Sequence, residues 1–257
     1  MSIPAIIIAR GGSKRLPRKN VTPLCGRSLV EWSIIQARNS HEISSVWLSS
    51  DDEEIQDIGY RNKANVIHET PWTGEGERPS GGHAVLRALE SMEAAGVDVS
   101  VYINILPTCV TWRPDDFDNG IRLFRETKAE SLVPKYNPQE HYVSAKLSAT
   151  AGQWMMLSKN YGYLVRGEQW CVRTYDFCKR YMALLPQSDR EIDKYFENFD
   201  NVPVWARFCH WYPVQWWQQY DIDDADTFSL VELLMERYIL KPLGEDCYER
   251  YGNTKQK

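Results

Sequence analysis

The sequence predicts an α/β fold class, a mainly parallel sheet flanked by helices, and three observations carry that reading. Short continuous apolar runs alternate with amphipathic stretches through the first half of the chain, the pattern of βα units. The 257 residues suffice for one large domain over 1–257, and nothing in the length requires a second. Beyond about residue 135 the rhythm gives way to irregular aromatic segments that hold Trp154, Trp170, Tyr175, Phe177, Tyr181, Tyr195 and Phe196. That change predicts an inserted subregion over about residues 135–210, one that covers an acceptor site or meets a second subunit.

Each element has its own signal. Ala5 to Ile8 is the first strand, continuously apolar because a central parallel strand is buried on both faces. Ser28 to Asn39 reads as a helix capped by Ser28, with Leu29, Trp32 and Ile35 three apart and Val30 and Ile34 four apart. Val46 to Ser50 is the second strand. The acidic run Asp51-Asp52-Glu53-Glu54 then suits the first turn of a helix, where the dipole favours carboxylates. Ala64 to His68 is a short strand, His83 to Ala95 a helix, Val99 to Leu106 a strand and Asp115 to Glu126 a helix. The rhythm resumes as a strand near Trp216 to Ile222, followed by a helix from Asp224 to about Ile239 with Leu230, Leu233, Leu234 and Tyr238 at helical spacing. The tail after Glu245 is polar and is expected to fray.

Composition excludes several classes. A formal charge of −5 is the wrong sign for a surface that collects polyanions, so no nucleic acid is expected as a partner and any phosphate site must be local. The first apolar run, Ile3 to Ala9, is far short of the roughly 20 residues of a spanning helix. It also lacks a basic leader and a small-residue cleavage site, so the expectation is no membrane association and a cytoplasmic location. Six scattered cysteines make no CxxC pair and no zinc spacing, and all read as reduced packing residues.

The loop from Ala9 to Asn20 is the strongest feature. Arg10, Lys14, Arg15, Arg18 and Lys19 put five cations in ten residues, interleaved with Gly11, Gly12 and Ser13, directly after an apolar strand. Such a loop can bend closely around a triphosphate and neutralise it. The glycines admit backbone N–H groups to phosphate oxygens, Arg10 can fork to two of them, and Lys19 can act as a point charge. The loop is neither a GxxxxGK[ST] nor a GxGxxG sequence. A second feature is Tyr220-Asp221-Ile222-Asp223-Asp224. On a strand, Asp221 and Asp223 would share a face and could hold one hard divalent cation, although such pairs also cap helices, and Asp224 suits that role.

Ala9 through Lys14 and Pro17 through Asn20 match, residue for residue, the ARGGSK-spacer-PRKN opening of the CMP-sialic acid synthetases and relatives that activate other nonulosonic acids. The chain resembles that family, which also carries a DID element before its last helix. The resemblance continues through Ser49-Ser50-Asp51, the helix from Gly82 to Glu90 and Leu106-Pro107-Thr108. It implies a Rossmann-like nucleotidyltransferase fold and a CTP-dependent cytidylyltransferase, with Mg²⁺ as cofactor at Asp221 and Asp223 and a homodimer as the assembly. The reaction implied is attack by an acceptor hydroxyl on the α-phosphorus of CTP with loss of pyrophosphate. Arg10, Lys19, Asp221 and Asp223 are its expected catalytic residues.

The expected nucleotide-binding set is Ala9, Arg10, Gly11, Gly12, Ser13, Lys14, Lys19, Asn20, Arg78, Ser80 and Thr108. Arg166, Arg173 and Lys179, with Arg180 beside them, are the candidate cations for an anionic acceptor. Departures fall near the expected base and acceptor. The family's QPTSP is Leu106-Pro107-Thr108-Cys109-Val110 here, and an arginine before proline is replaced by Thr70-Pro71, with Arg78 close by. They leave three readings of the acceptor open: a nonulosonic acid, another anionic group such as a phosphonate or sugar phosphate, or none at all in a non-catalytic nucleotide binder. The general base is equally open between Asp223 and a metal-bound hydroxide.

Overall fold

The structure is a computed structural model and describes residues 2–13, 15–70, 81–135, 169–185, 210–244 and 247–248. Lys14, Trp154, Tyr195, Phe196 and most of the expected inserted subregion lie outside them.

The first strand, β1 (Ile3–Ile8), starts two residues earlier than its apolar core. After a basic loop, β2 (Pro23–Leu24) and β3 (Arg27–Ser28) make a small hairpin that delivers the chain into α1 (Leu29–Asn39). Ser28 caps α1 through its side chain, which accepts from the Glu31 N–H. β4 (Ile43–Ser50), α2 (Glu53–Arg61), β5 (Asn65–His68), α3 (Gly81–Ala94), β6 (Val101–Ile105) and α4 (Asp116–Glu126) complete the regular βα half.

β7 (Ser131–Lys135) and β8 (Trp170–Thr174) follow, and β8 runs into α5 (Tyr175–Leu184) and is succeeded by β9 (His210–Pro213). The aromatic stretch therefore contributes a strand and a helix of the central body where irregular structure was expected. Its apolar rings serve packing. Trp170 is fully buried, edge-on to Trp112 and Phe117, and seated on Gly120.

Among the described residues, seven strands form one sheet in the order β5-β4-β1-β6-β8-β7-β9. Only β8 runs against the rest, pairing antiparallel with both β6 and β7. The pleat divides the core. Ala5, Ile7, Ile103 and Ile105 point to the face covered by α1, α2 and α4, while Ile6 and Tyr102 point to the face covered by α3 and α5.

A third cluster lies to one side, where Val231, Leu234 and Met235 of α6 (Ala225–Met235) are buried in one group with Leu24, Leu29, Trp32, Val110, Trp217 and Ile222. α6 continues through a π-helical turn, Glu236–Leu240, and a short segment, Lys241–Leu243, beyond the expected end. Its buried face is Val231, Leu234, Met235 and Ile239, and Leu233 is 65% exposed. The helix carries apolar residues on more than one face, so spacing alone left its phase ambiguous. The expected strand at Trp216 to Ile222 is instead a 3-10 turn, Trp216–Gln218, followed by irregular chain. No helix among the described residues is long and apolar enough to cross a membrane.

The chain builds β1, β4 and β5 outward on one side of β1, then crosses to β6 on the other. The carboxyl ends of β1 and β6 are therefore the switch point at which connections part and leave a crevice.

A Cβ added at Gly120 would lie 2.4 Å from the Trp170 ring, so Gly120→Ala should cost about 1–3 kcal/mol of stability in urea unfolding. A change within about 0.5 kcal/mol would show that the Trp170 nest has slack.

Candidate active site at the switch point

The basic loop leaves the sheet at this crevice. The Ala9 N–H donates to the Ser49 carbonyl at 3.0 Å, prolonging the β1–β4 pairing by one residue. Asn20, buried in the 3-10 turn Lys19–Val21, donates from Nδ2 to the Arg10 carbonyl at 2.9 Å and closes the loop across its neck. Gly11 donates its N–H to Asp51 Oδ1 at 2.9 Å, and a Cβ there would sit 2.3 Å from Asp52 Oδ2. Only glycine allows that approach. Gly12 is exposed, and the Ser13 N–H turns back to the Gly11 carbonyl at 3.1 Å.

Carboxylates from two other elements hold the loop's charge. Arg18, in the left-handed region with φ 59°, reaches both Asp52 and Glu54 at the start of α2. Burial pushes the Asp52 carboxyl up, but the Arg18 hydrogen bond and the Ile55 N–H outweigh it and hold Asp52 below its ordinary value. Asp52 is also the N-cap of α2, so the acidic run does the helix capping read from sequence and clamps the loop as well. Arg15 Nη1 lies 3.0 Å from Asp223 Oδ2, and Lys19 Nζ lies 3.2 Å from Asp223 Oδ1. Lys19 further donates to the Ile222 carbonyl at 2.6 Å.

Asp221 and Asp223 are thus not on a strand, and the alternation argument for a shared face does not apply to them. Tertiary contacts gather them instead. The Ile222 N–H donates to the Thr108 carbonyl at 3.0 Å, fixing the turn on the chain that leaves β6. Burial pushes the Cys109 thiol well up and the nearby Asp221 charge adds to this, while Thr108 and Lys19 act the other way. Because Ile222 is bonded to both Thr108 and Lys19, its chain neighbour Asp221 lies in the same region as Thr108, Cys109 and Lys19.

Upstream, Gln218 Nε2 donates to Asp116 Oδ2 at 2.6 Å, tying the 3-10 turn to α4. Downstream, Thr227 Oγ1 accepts from the N–H groups of Asp223 and Asp224 at 3.0 and 3.1 Å. The Thr227 N–H in turn donates to Asp224 Oδ1 at 2.8 Å, so Asp224 is the N-cap of α6.

The donor set suits a hard cation that keeps most of its shell for phosphate and water. No group of three or more His, Cys, Asp or Glu side chains among the described residues forms a metal cage. Two carboxylates at a site lined by cations match what magnesium takes from a protein when phosphates supply the rest. Asp221 and Asp223 are the residues that would hold it.

The structure therefore brings together Ala9, Arg10, Gly11, Gly12, Ser13, Lys19, Asn20, Thr108, Asp221 and Asp223. Lys14, Arg78, Ser80 and Arg166 lie outside the described residues. Arg173 and Lys179 have other neighbours. Arg173 is buried, pairs with Tyr102 near the start of β6, and donates from Nε to Ser131 Oγ at 3.2 Å with its guanidinium over Phe177 and Tyr181. That is the end of the sheet opposite the loop. Lys179, on α5, lies over the Tyr175 ring. The ion pairs of Arg15 with Asp223 and of Arg18 with Asp52 are contacts around the loop that sequence reasoning did not single out. The two arginines were counted in the loop's charge, but nothing in the sequence named their partners.

The sequence profile of the cytidylyltransferase family matches residues 4–151, more than half of the chain. Over 130 residues the chain is 31% identical to the N-acylneuraminate cytidylyltransferase A of Danio rerio, covering 51% of this chain and 29% of that one. Over 61 residues it is 52% identical to the pseudaminic acid cytidylyltransferase of Campylobacter jejuni, covering 24% of this chain and 26% of that one. The match spans less than a third of the length of either relative.

Among solved structures, the CMP:2-keto-3-deoxy-manno-octonic acid synthetase complexed with CTP is similar at a TM-score of 0.65 and 15% identity, over 93% of this chain and 100% of that one. A cytidylyltransferase from Leptospira borgpetersenii is similar at a TM-score of 0.60 and 15% identity, over 99% and 93% of the two chains. At these identities the likeness is one of fold.

Because Asp52 is depressed in the folded state, its contribution to stability is present above the unfolded carboxylate value, near 3.9, and is lost as pH falls through the folded one. Arg18→Gln should therefore lower stability at pH 7 by up to about 1 kcal/mol, with the gap to wild type closing below about pH 4. A gap that persists unchanged in acid would assign the effect to something other than this pair.

Proposed function

The chain belongs to the cytidylyltransferase family, and from that premise we propose that it transfers CMP from CTP to a nonulosonic-type sugar acid, releasing pyrophosphate. The observation that supports the reading is the closure of the basic loop on the aspartate turn through Lys19 and Asp223, which puts the loop's cations beside the Asp221–Asp223 segment. The printed names of the relatives support the nucleotide and the acceptor class.

Arg10 and the exposed part of the loop bind the triphosphate, and Lys19 places its ammonium where charge grows on the leaving pyrophosphate. Magnesium, when bound by Asp221 and Asp223, supplies further charge neutralisation on the phosphate oxygens. An acceptor hydroxyl attacks the α-phosphorus, its proton passes to Asp223 or to solvent, and the bond to pyrophosphate breaks. Positioning and electrostatics supply most of the acceleration. We assign the working state to a cytoplasmic homodimer on the family resemblance, and sedimentation as a monomer at working concentration contradicts that part.

A second reading has a specific support. Leu106, at the end of β6, packs against the core where the family commonly carries a glutamine, so the acceptor is recognised differently and a phosphonate or sugar phosphate becomes a candidate.

Pyrophosphate release should require CTP among the four nucleoside triphosphates, a divalent cation and one acceptor from a panel of nonulosonic acids, sugar phosphates and phosphonates. Asp221→Asn and Asp223→Asn should each slow it by about 100-fold or more. CTP binding without release on any acceptor would favour a non-catalytic binder.

A further inference from the structure

Asp223 carries a contact that the proposed reaction does not use. Its Oδ1 faces Lys19 at 3.2 Å and its Oδ2 faces Arg15 at 3.0 Å, so both carboxylate oxygens are engaged by cations. The two cations are held differently. The Lys19 side chain is 16% exposed and also donates to the Ile222 carbonyl at 2.6 Å. Arg15 is 53% exposed and reaches Asp223 from the loop that the proposed function gives to the triphosphate. A phosphate group offers a guanidinium a stronger, two-pronged partner than a single carboxylate oxygen does.

We propose that Arg15 is a positioning residue acting through Asp223: it occupies that carboxylate until a bound triphosphate draws the guanidinium away, which couples nucleotide binding to divalent-cation binding. The inference rests on the reading of Asp221 and Asp223 as the metal-holding pair. Without nucleotide, a cation must displace Arg15 from Oδ2. With nucleotide, Arg15 has already turned to the phosphates and Asp223 is released. Linkage makes the effect reciprocal, so the cation strengthens nucleotide binding by the same factor. The arrangement also keeps the carboxylate compensated in the resting protein, which limits idle capture of metal.

The test is Mn²⁺ binding to the full chain, followed by electron paramagnetic resonance, alone and with saturating α,β-methylene CTP, the ion held by the analogue itself being subtracted. Without nucleotide, Arg15→Gln should bind Mn²⁺ about two- to fivefold more tightly than wild type, the range that one partly exposed ion pair supports. The enhancement produced by the analogue should shrink by the same factor. Arg15→Lys, which keeps a cation beside Asp223, should restore most of the coupling. Arg18→Gln removes the same charge from the same loop, but its partners are Asp52 and Glu54, and it should leave Mn²⁺ affinity within about twofold.

Equal Mn²⁺ affinity and equal enhancement in wild type and Arg15→Gln, with binding lost in Asp223→Asn, would overturn the coupling and leave the metal reading standing. Equal tightening in Arg15→Gln and Arg18→Gln would also overturn it, since net charge alone would then account for the effect. No Mn²⁺ bound in any form, with or without the analogue, would remove the metal reading and this inference together.

Discussion

A loop with five cations in ten residues cannot hold a shape by itself. Two unit charges roughly 6 Å apart in a medium of effective dielectric about 20 repel by about 3 kcal/mol, so the segment needs anions brought to it from elsewhere in the fold. Asp51, Asp52 and Glu54 at the start of α2 supply them on one side, and Asp223 supplies one on the other. Because those carboxylates belong to elements placed by the sheet and by α6, the loop takes its form only once the tertiary structure is in place. The same charge that makes the segment unstable alone is what makes it attractive to a polyphosphate.

The sheet decides where this happens. Crossing from β5 over β1 to β6 leaves a crevice at the carboxyl ends of β1 and β6, and the two connections that border it carry the basic loop and Thr108. The third component comes from more than a hundred residues further along. Gln218 is bonded to Asp116, Ile222 to Thr108, and Thr227 to the N–H groups of Asp223 and Asp224, so the aspartate turn is fastened on three sides before any ligand arrives. Preorganised charge of this kind costs no rearrangement at the moment of reaction, which is the main resource of a phosphoryl-transfer site.

Where local chemistry decided structure, the sequence was legible. A capping serine and apolar spacing marked α1, a continuous apolar run marked β1, and a glycine pair among cations marked the loop that leaves it. Asp221 and Asp223 were paired on strand alternation, but the turn is irregular, and it is held by hydrogen bonds to distant chain, from Ile222 to Thr108 and from Lys19 to Asp223.

Long-range packing hid the rest. Arg173 was singled out by its charge alone, and the antiparallel pairing of β8 with β6, which sets it beside Tyr102 at the end of the sheet opposite the loop, has no local signal. Leu233 has the right spacing for a core residue and faces outward, because the neighbouring apolar positions Val231, Leu234 and Met235 form the buried side of the helix. Arg15 and Arg18 read as anonymous charge until the partners of each could be seen.

The account stands on one contact, the bond between Lys19 in the first loop and Asp223 in the last turn, separated by 204 residues and both largely shielded from solvent. A double-mutant cycle in unfolding free energy, with Lys19→Met, Asp223→Asn and the pair, measures that contact directly. The account predicts a coupling of at least about 0.5 kcal/mol, with the second substitution costing less once the first is made. Additive losses would mean that the loop and the aspartate turn are neighbours held apart by their own anchors, and that they do not form one site.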